Sequence, residues 1–341
     1  MSVNLTAGRH ILPVAAFLAD HGEPLPPLLM QAGLPRTCLD DPGKLVPTAA
    51  LWHFRELAEI RTGLSDLALT VMDPLAVCDL GPVGRSLLAA PTLRQAIEDF
   101  RRNAWAESST AVLSIRPDRN GDALFSVRFN LHQQPGEWQA ELYLLAWMLK
   151  IVWLFDPKWS PTEIWCTANA TIDRLRVIES LGARPRFNQR CTGFPIPAHM
   201  LALPQERPCE PRPGTHEALL WSRAPSGSAS GAVKQMIQTY ADERWLTVEE
   251  ASDGLGMNLR ALQRQLAAED QTYSAILEET RAEVAAKLLK GMEASLSEIA
   301  RRLGYSNLSN FNRAFRRWAS VSPREFREQR RSRRGHPNLR V

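Results

Sequence analysis

The chain has 341 residues, of which 44% are hydrophobic and 23% charged; these are ordinary values for a folded globular protein and argue against wholesale disorder or a coiled-coil rod. Its length allows two or three domains, each able to bury a core without staples. Five cysteines, far apart and never in a C-x-x-C pair, argue against a disulfide framework or a zinc knuckle and suit a reducing cytoplasm.

The chain opens Met-Ser-Val-Asn, without the basic, apolar and small-residue series of a secretory signal, so export by that route is not expected. Helix-period segments follow at 47–61, 92–105, 138–155 and 172–181, interleaved with β-rich runs at Ala111 to Arg116, Ala123 to Phe129 and Glu163 to Thr167. This mixture predicts an α+β domain over residues 1–203. The longest apolar stretch, Leu142 to Phe155, has 14 residues and contains Lys150. A membrane span needs about 20 apolar residues, so this is a buried helix and no membrane partner is expected.

Eight of the ten tryptophans precede residue 231, with Trp138, Trp147, Trp153, Trp159 and Trp165 close together. Two readings of the cluster stand side by side. It lines an effector pocket, with Trp138, Trp147 and Trp165 as its candidate residues; or it is core, as the helical spacing of Leu144, Trp147 and Ile151 suggests. The histidines at 10, 21, 53, 132, 199, 216 and 336 show neither H-x-x-x-H nor H-E-x-x-H, so no metal site is proposed. There is no G-x-S-x-G elbow and no phosphate-binding glycine loop, so neither a cofactor nor catalysis is expected.

Residues 204–231 read as a linker with a short helix at 215–223, and its Ala-Pro-Ser-Gly-Ser-Ala-Ser-Gly end has the composition of a tether. From residue 232 to 329 the pattern is wholly helical, and 330–341 form a basic tail. The net charge of +4 is mild, but its placement is not. Residues 1–231 hold 22 basic and 23 acidic side chains, whereas 296–341 hold 12 and 3. Such asymmetry points to an acidic partner, nucleic acid above all, for the C-terminus.

This region carries an internal repeat. Thr247 to Glu250 and Ser295 to Glu298 are capping boxes 48 residues apart, and the same offset aligns Leu255-Gly256 with Leu303-Gly304. At an offset of 49, Leu262 and Leu266 align with Phe311 and Phe315, and Arg264 with Arg313. Each unit is cap, short helix, glycine turn and second helix, which is the helix-turn-helix pattern. Apolar residues at i and i+4 set the buried side of each second helix. With Phe311, Phe315 and Trp318 buried, the exposed faces present Arg260, Gln263 and Arg264 in the first unit and Ser309, Asn310 and Arg313 in the second, with Asn312 alongside. Arginine matches the guanine edge and Asn or Gln the adenine edge, so these faces suit the major groove. Between the units, Ser274 to Lys290 lacks Pro and Gly and is predicted to be one helix of roughly 25 Å, supported by a Glu283–Lys287 pair.

On these residues, and on Ile299 to Ser306, Phe311 to Trp318 and Ser322 to Arg327 in particular, the C-terminal domain closely resembles the DNA-binding domain of the AraC/XylS family of bacterial transcription regulators. The resemblance implies two recognition helices in adjacent major grooves of promoter DNA, with Arg260, Gln263, Arg264, Ser309, Asn310 and Arg313 at base-reading positions. Phosphate contacts are assigned to Asn312, Arg316, Arg317, Arg330 and Arg331. One departure stands out: where the family has a glycine after each recognition helix, this chain has Asp270-Gln271 and Ala319-Ser320.

The N-terminal domain is similar to the arabinose-binding type of sensor domain, which also occurs in ornithine-utilisation regulators. Leu29 to Pro35, Asp41 to Pro47, Gly81 to Leu88 and Pro91 to Ala96 carry the resemblance. It implies a small-molecule effector, a homodimer and, as in many family activators, contact with RNA polymerase. Two alternatives stay open: a regulator whose N-terminal domain only dimerises or binds a protein, and a DNA-repair methyltransfer protein, against which stand the neighbours of Cys38 and Cys78.

Overall fold

The computed structural model describes residues 3–117, 121–205, 224–291 and 294–334, the last five as backbone only. The chain divides into two compact units between Gly227 and Ser228. The helix expected at 215–223 lies outside the described residues.

The first unit is α+β, as the sequence pattern implies. Its helices are α1 (Leu12–Asp20), α2 (Leu25–Ala32), α3 (Thr48–Thr62), α4 (Leu67–Met72), α5 (Gly81–Leu88), α6 (Leu93–Asn103), α7 (Glu137–Trp153) and α8 (Ile172–Ser180). A two-stranded sheet pairs β1 (Leu5–Ala7) with β2 (Leu45–Pro47), antiparallel. The main sheet runs β3-β4-β7-β5-β6, with β3 (Ala111–Pro117), β4 (Ala123–Phe129), β5 (Glu163–Trp165), β6 (Arg184–Arg186) and β7 (Thr192–Ile196). Its pairs are antiparallel except β5 with β6.

Alternation explains the sheet. Along β4, Ala123, Phe125, Val127 and Phe129 are buried at every second position, as a strand with one covered face requires. Phe125 meets Phe194 of β7 edge to face, with ring centroids 6.0 Å apart. Each such ring contributes about 1.5–3 kcal/mol by leaving water.

Helix α7 is buried almost all round, from Trp138 to Val152, which accounts for its uninterrupted apolar sequence. It is tied in by polar contacts as well as packing. The fully buried Gln139 accepts from Ala68 N at 2.9 Å and donates to the Ser65 carbonyl at 3.0 Å. The turn ahead of the helix needs Gly136, which has φ +77; a Cβ there would lie 1.9 Å from the Trp52 carbonyl oxygen. Only glycine tolerates both conditions.

The second unit is helical throughout its described residues: α9 (Ala229–Tyr240), α10 (Val248–Gly254), α11 (Leu259–Ala268), α12 (Tyr273–Lys290), α13 (Leu296–Arg302), α14 (Leu308–Ala319) and α15 (Pro323–Arg334). Two details differ from expectation. Helix α15 continues to Arg334, so the start of the basic tail has helical backbone. Glu283 does not turn to Lys287; it bonds Lys234 Nζ at 2.7 Å and Gln238 Nε2 at 3.2 Å, because α9 packs on α12 and brings both partners to it.

Candidate nucleic-acid interface and effector cavity

Local hydrogen bonds build each helix-turn-helix unit. Thr247 Oγ1 accepts from Glu250 N at 3.2 Å while Glu250 Oε2 accepts from Thr247 N at 2.8 Å. Ser295 and Glu298 repeat the arrangement at 3.1 and 3.3 Å. Gly256 and Gly304 have φ +67 and +78, the left-handed turn that glycine permits. The recognition helices carry a second matched pair of caps that the sequence reading missed: Asn258 Oδ1 accepts from Ala261 N, and Asn307 Oδ1 from Asn310 N, both at 2.8 Å. The 49-residue offset already contained this signal.

The missing glycines after these helices do not alter the exits. Asp270 has φ +54 and Ser320 φ +59, so two ordinary residues adopt the turn that glycine makes freely, at some cost in strain.

Buried against the rest of the unit are Ala261, Leu262 and Leu266 on α11 and Phe311, Ala314 and Phe315 on α14. Trp318 is only half-buried, packed edge-on to Phe315 with centroids 6.3 Å apart. Arg260, Gln263 and Arg264 are exposed, as are Ser309 and Arg313. Asn310 is half-buried; its Oδ1 accepts from Arg313 Nη2 at 2.6 Å, and its Nδ2 faces Ser306 Oγ at 3.4 Å. Of the residues assigned to phosphate, Arg316 is exposed, whereas Arg317 forms an ion pair with Glu278 of α12. Asn312 is half-buried, its Oδ1 covered and unpartnered. Arg330 and Arg331 lie on α15, where only backbone is described.

The two helix-turn-helix units share a joint in which Trp245 and Arg281 are residues the sequence reading passed over. Trp245 Nε1 donates to the Arg302 carbonyl at 2.8 Å. Arg281, in the middle of α12, stacks its guanidinium 5.0 Å from the Trp245 ring and 5.8 Å from the Tyr305 ring. Helix α12 has 18 residues, hence a length of about 27 Å.

Two cavities of the N-terminal unit separate the three tryptophans proposed for an effector. Trp147 lines a small one of about 50 Å³ with His10, Arg55, Glu107 and Tyr143. Trp138 lines a wider one of about 470 Å³ with Glu56, Glu59, Glu137, Glu141 and Arg174. Trp165 lines neither; it stands on β5 and donates to Glu163 at 2.7 Å.

Four carboxyls and one arginine line the wider cavity. Burial pushes the carboxyls of Glu59 and Glu141 above their usual range, although bonds from Thr167 and Thr192 pull Glu141 back. In the smaller cavity His10 Nδ1 meets Tyr143 Oη at 3.0 Å and its Nε2 meets Glu107 Oε2 at 3.1 Å. Burial nonetheless depresses the imidazole below its usual value and lowers Arg55 to about 10.

Comparison with known proteins follows this division. Residues 22–205 match the family described as the arabinose-binding domain of AraC transcription regulators, and residues 251–329 match a helix-turn-helix domain family. The chain is 27% identical over 255 residues to the HTH-type transcriptional regulator VirS of Mycobacterium tuberculosis, covering 73% of this chain and 74% of that one. It is 37% identical over 81 residues to the ornithine utilization regulator of Pseudomonas aeruginosa, 24% of each chain. A 38% identical match over 80 residues to an uncharacterized HTH-type transcriptional regulator of Mycobacterium bovis spans 23% of that relative. Among solved structures, the transcriptional regulator CdpR from Pseudomonas aeruginosa aligns with a TM-score of 0.43 at 18% identity, over 93% of this chain and 96% of that one. With the N-terminal match alone spanning more than half of its residues, the chain belongs to the AraC family of transcription regulators.

Proposed function

We propose that the protein is a sequence-specific transcription regulator that sets two recognition helices into successive major grooves of promoter DNA and answers to a small molecule held by its N-terminal domain. The observation that carries this reading is the pair of identically capped helix-turn-helix units, each with arginine open to solvent beside a side-chain amide, joined by one continuous helix. Recognition helices on successive turns must sit about 34 Å apart. A connector of about 27 Å with its flanking turns is of the right scale.

In this reading Arg260, Gln263, Arg264, Ser309, Asn310 and Arg313 read bases. Asn312, Arg316, Arg317, Arg330 and Arg331 hold phosphate. Residues 1–203 sense and dimerise, 232–329 bind DNA, and the regulator works in the cytoplasm, without catalysis, in contact with RNA polymerase. No helix among the described residues is long and apolar enough to cross a membrane.

Selecting bound fragments from genomic DNA, with and without added cell metabolites, tests the reading. The expected result is one motif with two halves about one helical turn apart, enriched to a degree that the metabolites change. Enrichment of a single half-site, or none, would overturn the two-groove reading; enrichment indifferent to metabolites would leave an effector-independent regulator.

A further inference from the structure

We infer that the small cavity around Arg55 in the N-terminal unit is the effector site and that it takes a small monocarboxylate, its anionic head on the Arg55 guanidinium and its short apolar part against Trp52, Phe100 and Trp147. The inference rests on the effector-sensing reading above and gives it a ligand class.

Charge is the first argument. Arg55 is 3% exposed, and no carboxylate among the described residues pairs with it. Its Nη2 donates to the His10 carbonyl at 3.2 Å and its guanidinium stacks 3.8 Å from the centre of the Tyr143 ring. The nearby Glu107 is already engaged by His10 at 3.1 Å and Arg9 at 3.3 Å. With His10 kept neutral by burial, two guanidiniums face one carboxylate, and the cluster holds one uncompensated positive charge. A buried charge in that condition is costly unless an anion joins it.

Unmet hydrogen bonds are the second. Arg55 Nε is a buried donor without a partner, Trp147 Nε1 is a second buried donor with no hydrogen bond of normal geometry and only Tyr143 beside it, and both residues line the cavity. Two such donors beside an unpaired cation call for a ligand with two acceptor atoms and a negative charge, which a carboxylate supplies.

Size and lining are the third. At about 10–15 Å³ per water molecule, a cavity of about 50 Å³ has room for roughly three to five heavy atoms, which acetate and propionate fit. Leu51, Leu144 and Phe129 give it apolar walls, and its two hydroxyls, Thr6 and Ser108, are already bonded to each other at 2.9 Å. The wider acidic cavity has no comparable demand. Its most buried carboxylate, Glu141, already accepts from Thr167 and Thr192, and none of its lining residues has a buried polar atom without a partner.

The test uses the full chain. Thermal unfolding is followed while acetate, propionate or butyrate is titrated to millimolar concentrations at constant ionic strength, beside propionamide and propylamine as neutral and cationic counterparts. Expected is a rise in Tm with the carboxylates alone, weakened about tenfold or more in Arg55→Met and about threefold in Trp147→Phe. No rise with any carboxylate, or an equal rise with the amide or in Arg55→Met, would overturn the assignment. Should Arg55→Met not fold, Trp147→Phe and the comparison of carboxylate with amide decide the matter.

DNA binding by fluorescence anisotropy separates the two levels of the reading. If propionate binds through Arg55 but leaves DNA affinity unchanged, the effector role falls. If another metabolite changes DNA affinity equally in wild type and Arg55→Met, effector control stands and this cavity is not its seat.

Discussion

Arg313 donates from Nη2 to Oδ1 of Asn310, 2.6 Å away and one turn back on the second recognition helix. The bond orders a long side chain in advance and leaves the rest of the guanidinium fork open. Arg313→Ala is expected to cost about 1–3 kcal/mol on the preferred site and to relax specificity there. Asn310→Ala should lower affinity in the same direction through a freer Arg313, and the double variant should lose less than the sum of the two singles. Anisotropy titrations on preferred and random DNA check this; equal losses on both would remove Arg313 from base reading.

Trp245 and Arg281 bear on geometry without touching a base. Replacing Trp245 with Phe removes the bond to the Arg302 carbonyl, and Arg281→Met removes the stacking on Trp245 and Tyr305. Each should weaken binding to a two-part site by about 1 kcal/mol. Affinity for either half-site alone should hold. Binding curves on whole and divided operators distinguish this from a general loss of fold.

The arginines assigned to phosphate divide by their present partners. Arg316 makes no ion pair among the described residues, while Arg317 is held by Glu278. Arg316→Ala should lower the slope of log affinity against log salt by about 1. Glu278→Gln should release Arg317 and steepen the slope by up to about 1. A slope that ignores Arg316 would take that residue off the DNA.

Asp270 and Ser320 hold positive φ where a side chain is strained. Asp270→Gly and Ser320→Gly should each stabilise the second unit by about 0.5–1 kcal/mol. Urea unfolding followed by tryptophan fluorescence measures the gain, and a loss would show that the side chain contributes more than the turn costs.

Burial keeps His10 neutral, with its value below the usual 6.5 in the fold. Between that depressed value and 6.5 the unfolded chain binds the proton that the folded chain refuses, so stability falls as pH drops through this window and levels off beneath it. In His10→Gln this component is absent. The difference in Tm between wild type and variant, scanned from pH 8 to pH 4, should therefore be flat above about 6.5 and change sign of slope nowhere, wild type losing ground steadily on acidification. A constant difference would mean that the fold leaves the His10 imidazole at its ordinary value, and a wild type that gained ground on acidification would mean that His10 is charged in the fold.

How far the sequence could be read depended on the range of each interaction. The capping boxes at Thr247 and Ser295 and the turns at Gly256 and Gly304 are settled within four or five residues, so their spacing announced them. The strands β3 and β4 were equally plain, because Phe125, Val127 and Phe129 alternate within one run. By contrast β1 and β2 have three residues each and pair across forty, and β7 contains Gly193 and Pro195, which disguise a strand. Helix α2 opens on Pro26-Pro27, tolerated only because its first turn needs no amide donors.

The same limit separates the two candidate sites. The DNA face lies on single helices, so periodicity alone exposed Arg260, Arg264 and Arg313. The cavity brings His10, Arg55, Glu107 and Tyr143 together from four distant stretches. Trp147 was a candidate for its aromatic ring, whereas the structure gives it weight through a buried indole N–H with no hydrogen bond of normal geometry. Nothing local marked Arg55 as a cation lacking a counter-charge.

A helix closed by its own backbone bonds has no slack and no intermediate lengths. One residue added within Tyr273–Lys290 would swing everything downstream through about 100° and advance it by about 1.5 Å; one base pair added to the duplex turns it by only about 34°. Neither error can absorb the other. On the two-groove reading, the distance between operator halves is thus inherited as a fixed quantity, and a promoter that gained or lost a single base pair there would fall silent to this regulator until a second mutation restored the count.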